Sequence, residues 1–157
     1  MKKLIFSILF AFSVVSFANA QSNAIGARLG AGIGSGTEAS LLLGINNNNR
    51  VEFTLGLDYT PAFNATAVYQ WVFDLSQLEP GFNWYTGVGL GILVYGENTI
   101  TKRDQGANVG ILGILGLEYN FDFPLQLSLD FRPGIYLGSK YRSGFGPGFA
   151  VGARYRF

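Results

Sequence analysis

Residues 82–95 read Phe82-Asn83-Trp84-Tyr85-Thr86-Gly87-Val88-Gly89-Leu90-Gly91-Ile92-Leu93-Val94-Tyr95. The stretch separates into two faces at a period of two. Phe82, Trp84, Thr86, Val88, Leu90, Ile92 and Val94 fall on one side, and Asn83, Tyr85, Gly87, Gly89, Gly91, Leu93 and Tyr95 on the other. Successive side chains of a strand point to opposite faces, so sustained alternation specifies an extended strand rather than a helix. One face is almost wholly apolar and the other is rich in glycine. That asymmetry decides the kind of sheet.

Seven more segments alternate in the same way, beginning near residues 25, 38, 50, 64, 108, 125 and 148. Across all eight, 39 of 41 positions on the first face are apolar or aromatic and none is charged. The second face, also 41 positions, carries 11 charges and 12 glycines. Most segments approach the ~9–11 residues that a tilted strand needs to cross a bilayer, and eight is an even number. A soluble barrel would turn the second face to water, yet a solvated surface has no reason to be so bare of Lys and Glu. The interior of a closed eight-stranded barrel is narrow, and side chains must fill it. Glycine and five Arg against six Asp/Glu suit that interior. The sequence therefore predicts an all-β fold, an eight-stranded antiparallel up-and-down transmembrane β-barrel with its apolar face toward lipid. Such a barrel pairs every backbone N–H and C=O without leaving an edge.

Composition and the N-terminus agree. Lys2 and Lys3, the apolar run 4–17 and Ala18-Asn19-Ala20 form the three parts of a secretory signal peptide. The expected division is a signal peptide over 1–20 and a barrel over 21–157, located in the cell outer membrane. Past residue 20 there remain 9 Lys+Arg against 10 Asp+Glu, which gives no basic footprint for nucleic acid. The chain has no Cys and no His, so it has no thiolate nucleophile, no disulfide and no imidazole base or ligand. No catalytic residues, cofactor or metal are implied, and the protein is not expected to be an enzyme. Gly34-Ser35-Gly36-Thr37-Glu38-Ala39 matches G-x-G-x-x-A, but an alternating strand follows it where a dinucleotide site needs a helix.

With the N-terminus on the periplasmic side, 46–49, 75–81 and 120–124 are expected as short periplasmic turns. The outer loops are expected at 34–37, 60–63, 96–107 and 133–147. Trp71, Phe73, Phe82, Trp84, Tyr119, Tyr155 and Phe157 fall near one rim, Tyr59 and Phe149 near the other, as interfacial belts. Pro133 cannot donate to a ladder, so the seventh strand must end there, bulge, or resume at Ile135-Tyr136-Leu137. Arg28, Glu52, Asp74, Glu118, Asp130, Arg154 and Arg156 are expected as a lumen charge network. Such charges act either as a plug of matched pairs or as a gate whose pairs exchange partners, because a buried charge is costly unless paired.

The chain ends Phe149-Ala150-Val151-Gly152-Ala153-Arg154-Tyr155-Arg156-Phe157. Phe149, Val151, Ala153, Tyr155 and Phe157 resemble the C-terminal assembly signal of outer-membrane barrels, which implies the barrel-assembly machinery as a partner during biogenesis. The chain past residue 20 resembles small eight-stranded outer-membrane proteins of the porin-like and adhesin-like superfamily. Asn23-Ala24-Ile25-Gly26, residues 116–121 and residues 124–133 look like segments found in such proteins from Bacteroidota. The resemblance defines an architecture and not one activity. The leading expectation is a structural, envelope-stabilising barrel with at most a narrow pore, in contact with outer-membrane lipid and lipopolysaccharide. The alternatives are a surface adhesion or ligand-binding protein acting through loops 96–107 and 133–147, and a channel for a small hydrophobic molecule.

Overall fold

The computed structural model describes residues 23–32, 36–57, 62–95, 106–138 and 144–157. The expected signal peptide, Tyr59 and the tips of the outer connectors lie outside the described residues. The described chain forms ten strand segments: β1 (Ala24–Gly32), β2 (Gly36–Gly44), β3 (Asn49–Leu57), β4 (Ala62–Asp74), β5 (Phe82–Tyr95), β6 (Gly106–Asn120), β7 (Leu125–Phe131), β8 (Gly134–Gly138), β9 (Gly144–Gly146) and β10 (Gly148–Arg156). β7 and β8 form one stave of the wall, and β9 and β10 form the next. The result is a closed eight-stranded antiparallel barrel in which each stave pairs with its sequence neighbours and β10 closes on β1.

Closure requires tilted strands, and the register shows it. A path of paired residues leaves Ala24 and runs through Leu42, Glu52, Val68, Gly89, Leu112 and Gly134 to Gly146. Ala24 itself pairs with Arg156 on that last stave, ten residues beyond Gly146. With eight staves this stagger leaves an interior just wide enough for side chains to fill.

The strand broken at Pro133 resumes without a bulge. Phe131 faces Leu115 and Phe149; Gly134, three residues on, faces Leu112 and Gly146, in step on both sides. The carbonyl of Pro133 still accepts from the Gly113 N–H at 2.8 Å, and Arg132 and Gly148 exchange both backbone bonds at 2.7 and 3.0 Å. One lost donor is tolerated because the surrounding ladder fixes the register. The segment 133–147, expected as an outer loop, is therefore mostly wall, in β8 and β9, with 139–143 outside the described residues. The loop expected over 96–107 is likewise shortened, since β6 begins at Gly106.

The two faces separate as the alternation requires. Leu29, Leu57, Leu90, Ile111, Leu137 and Phe149 are exposed on the outside, while Arg28, Glu52, Thr54, Gln70 and Arg154 are buried. The barrel is inverted relative to a soluble protein: its apolar residues coat the exterior and its polar residues fill the core.

Candidate functional site: the filled lumen

Glu52 on β3 is the hub of the interior and is fully buried. Its Oε1 accepts from Arg28 Nη1 at 3.0 Å, Arg154 Nη2 at 2.6 Å and the Ser40 hydroxyl at 2.8 Å. Its Oε2 accepts from Gln70 Nε2 at 2.7 Å. Arg28 also donates to Asp130 Oδ1 at 2.5 Å, and Asp130 Oδ2 accepts from the Tyr85 hydroxyl at 3.0 Å. Arg154 donates in addition to Ser40, Gln126 and Ser128. Arg28 and Arg154 come from β1 and β10, which meet only because the barrel closes; Arg154 pairs with Gly26 and Arg28 with Gly152.

A second pair lies toward the end that holds Asn23 and Phe157. Arg50 binds Glu118 bidentately, Nη1 to Oε1 at 3.0 Å and Nη2 to Oε2 at 2.6 Å. Its Nε donates to Gln70 Oε1 at 2.7 Å, and its guanidinium carbon lies 4.9 Å from the centre of the Tyr85 ring. Gln70 therefore joins the two groups by accepting from Arg50 and donating to Glu52. Above them Glu38 and Arg132 meet more loosely, at 3.5 Å. Arg28, Arg132 and Arg154 against Glu38, Glu52 and Asp130, plus the Arg50–Glu118 pair, balance the charge among the described lumen residues.

The structure thus brings together Arg28, Glu52, Asp130 and Arg154, and links Glu118 to them through Arg50 and Gln70. Two residues expected in the network are not in it. Asp74 is the last residue of β4; it is exposed and turns back on Ser76, accepting from the Ser76 N–H and hydroxyl at 2.7 Å each. A parity count puts its side chain on the lumen face, but the strand ends there. Arg156 lies at the same rim and donates to the carbonyl of Phe121 at 2.5 Å, acting as a tie to the 120–124 turn. Glu38, Arg50 and Arg132 were legible as lumen-face charges, but their pairing depends on residues far away in sequence.

Glycine on the lumen face makes room for two tyrosines. A Cβ on Gly116 would press against the Tyr85 ring and lie 2.8 Å from Asp130 Cβ. A Cβ on Gly110 would lie 2.7 Å from Tyr136 Cγ, one on Gly134 would lie 2.8 Å from Tyr136 Cε2, and one on Gly91 would lie 2.9 Å from its hydroxyl. Tyr136 is therefore seated on three glycines from three staves. With Val68, Leu93, Leu112 and Ile114 the two rings form an apolar cluster inside the barrel. The lumen is filled by charge pairs on one side and by this cluster on the other.

Aromatic residues crowd the end of the barrel that holds Asn23 and Phe157. Phe73 stacks on Trp84 at 4.3 Å, and Tyr119 meets both Phe82 and Phe121. Phe149, expected near the opposite rim, sits part-way along the wall against Phe131 at 4.9 Å, because β9 carries the stave further outward. Phe149, Val151, Ala153 and Tyr155 all point outward from β10, and the Phe157 N–H bonds to the Asn23 carbonyl at 3.0 Å.

No family model matches the chain, and no curated protein matches it. Among solved structures, the N-terminal β-barrel domain of Pseudomonas aeruginosa OprF is similar, with a TM-score of 0.58 at 14% identity over 88% of this chain and 100% of that one. Neisserial surface protein A (NspA) is similar with a TM-score of 0.59 at 15% identity, over 87% of this chain and 95% of that one. The fold is that of the small outer-membrane barrels. At such identity the likeness is one of fold alone.

Proposed function

We propose that the protein is an integral outer-membrane barrel with a structural, non-catalytic role and at most a narrow pore. The observation that carries this reading is the filled lumen, in which Glu52 alone binds four side chains while Tyr85 and Tyr136 occupy the remaining width. The apolar exterior supports the membrane setting: Leu29, Ile111 and Phe149 are exposed on the outside, and a closed barrel is one of the two folds that can stand in hydrocarbon. The absence of His and Cys from the chain supports a non-catalytic role. The alternating outward face of β10, with Phe149, Val151, Ala153 and Tyr155 exposed, supports delivery by the barrel-assembly machinery.

Single-channel recording of the refolded protein in a planar bilayer tests this reading. Folding is first verified by faster migration of the unboiled sample on a denaturing gel. A verified barrel that stays electrically silent is the expected result. Reproducible conductance steps in the wild-type protein would replace the plug with a gate.

A further inference from the structure

The outward face of the barrel is not of one height. On β5 the outward residues run from Phe82 to Val94, and on the stave of β7 and β8 from Leu125 to Leu137, twelve residues in each case. On β1, β2 and β3 they run from Ile25 to Ala31, Leu43 to Thr37 and Val51 to Leu57, six residues in each case. At ~3.3 Å per residue and a strand tilt of about 45°, the long staves carry a belt about 28 Å tall and the short ones a belt about 14 Å tall. The apolar band of an outer-membrane barrel is about 25 Å tall. β1, β2 and β3 are neighbours in the wall, so the short belt is one continuous flank.

The chain cannot raise that flank. Three residues join β1 to β2, four join β2 to β3 and four join β3 to β4, too few to add six residues to each stave. The turn that joins β2 to β3 is also polar, with Asn46, Asn47 and Asn48 exposed.

The aromatic anchors are distributed the other way. Trp71, Phe73, Trp84 and Tyr119 stand outward on β4, β5 and β6, and Tyr155 on β10, whereas β1 and β2 carry no aromatic residue and β3 carries Phe53 at mid-strand. Interfacial Trp and Tyr set how a spanning element sits. The anchored staves therefore hold the barrel at the interface, and the mismatch falls on the lipid beside the short flank. A span shorter than the hydrocarbon layer is accommodated by thinning the bilayer around it.

We propose that the barrel thins the bilayer locally along β1, β2 and β3, which makes this flank the face where lipid is compressed. The inference rests on the membrane reading above. Because the chain has no Cys, single-Cys variants carry one nitroxide each. Leu57 on β3 and Ile92 on β5 stand at about the same height on the barrel: the register leads from Leu57 through Phe63 to Val94, climbing a little over one residue at each step, and Ile92 is two residues lower. Leu43 and Leu127 are a level pair at the end that holds Asn23 and Phe157. The four labelled barrels are refolded into dioleoylphosphatidylcholine vesicles, insertion is verified by gel mobility and protection from protease, and label depth is read from accessibility to oxygen against a water-soluble nickel chelate. The Leu57→Cys label should lie at headgroup level and the Ile92→Cys label about 5 Å deeper, the two residues by which Val94 outreaches Ile92. The Leu43→Cys label should be no deeper than the Leu127→Cys label. Failure to insert would overturn the membrane reading and this inference with it. Insertion with Leu57 and Ile92 labels at equal depth would overturn the thinning alone. So would a Leu43 label deeper than that at Leu127, which is the signature of a tilted barrel in an unperturbed bilayer.

Discussion

Arg28 and Glu52 meet at 3.0 Å although they lie on β1 and β3, with Ser40 on the strand between them. The side chains reach across the lumen rather than along the sheet. Glu52 thereby compensates Arg28 and Arg154 together, and each of its oxygens is already occupied by donors. A hydrogen-bonded network in a low-dielectric interior is strong when complete and costly when one member is missing.

Glu52→Ala should be the most damaging lumen substitution. It leaves two buried guanidinium groups short of an acceptor, and removing one partner of a buried pair costs about 3–5 kcal/mol. Urea unfolding of the refolded barrel, followed by gel mobility, should show a lower midpoint. Glu52→Gln, which keeps the shape, should fall between wild type and Glu52→Ala. An unchanged midpoint in Glu52→Ala would remove Glu52 from the account of stability.

Asp74→Ala should behave differently, although it removes the same kind of charge from the same nominal face. Asp74 is exposed and, among the described residues, bonds to its own turn at Ser76, so an unfolding midpoint close to that of wild type is expected in the same experiment. A loss as large as that of Glu52→Ala would mean that the turn at 75–81 is needed for closure.

Gln70→Leu should uncouple the two charge groups. Among the described residues its amide bonds directly to both Arg50 and Glu52, and losing it leaves polar groups unsatisfied at about 1–3 kcal/mol. A double-mutant cycle between Glu118→Gln and Glu52→Gln should show interaction energy in the wild-type background and less with Leu at position 70. Equal coupling in both backgrounds would assign the link to the field of the charges instead.

Gly110→Ala should unseat Tyr136. Its new Cβ falls within 2.7 Å of the ring, which has no free direction between Gly91 and Gly134. Overpacking of this kind costs about 1–3 kcal/mol. Gly113→Ala, three residues along the same strand and facing outward, should be tolerated. Comparing the fraction of each variant that reaches the fast-migrating form tests the pair. Similar yields would show that the ring has room to shift.

Much of this protein is written into alternation. The period of two, seen in residues 82–95 and in seven other segments, determines strands, their number and the face of each residue, because a strand allows its side chains only two directions. It also determines that the glycine-rich, charge-bearing face is the inside, since that face cannot cover an exterior in lipid. What alternation does not carry is height. Asp74 and Glu52 share a face, yet one stands at the rim and the other at the centre of the network. Their levels depend on the ten-residue stagger set when β10 closes on β1. Pro133 was ambiguous for the same reason, since only the ladders on both sides hold the strand in step across it. The seating of Tyr136 on three glycines from three staves, the meeting of Arg28 with Arg154, and the role of Gln70 as a bridge all come from closure. Local sequence fixes which way each side chain points; the tilt and stagger of the closed barrel decide which of them touch.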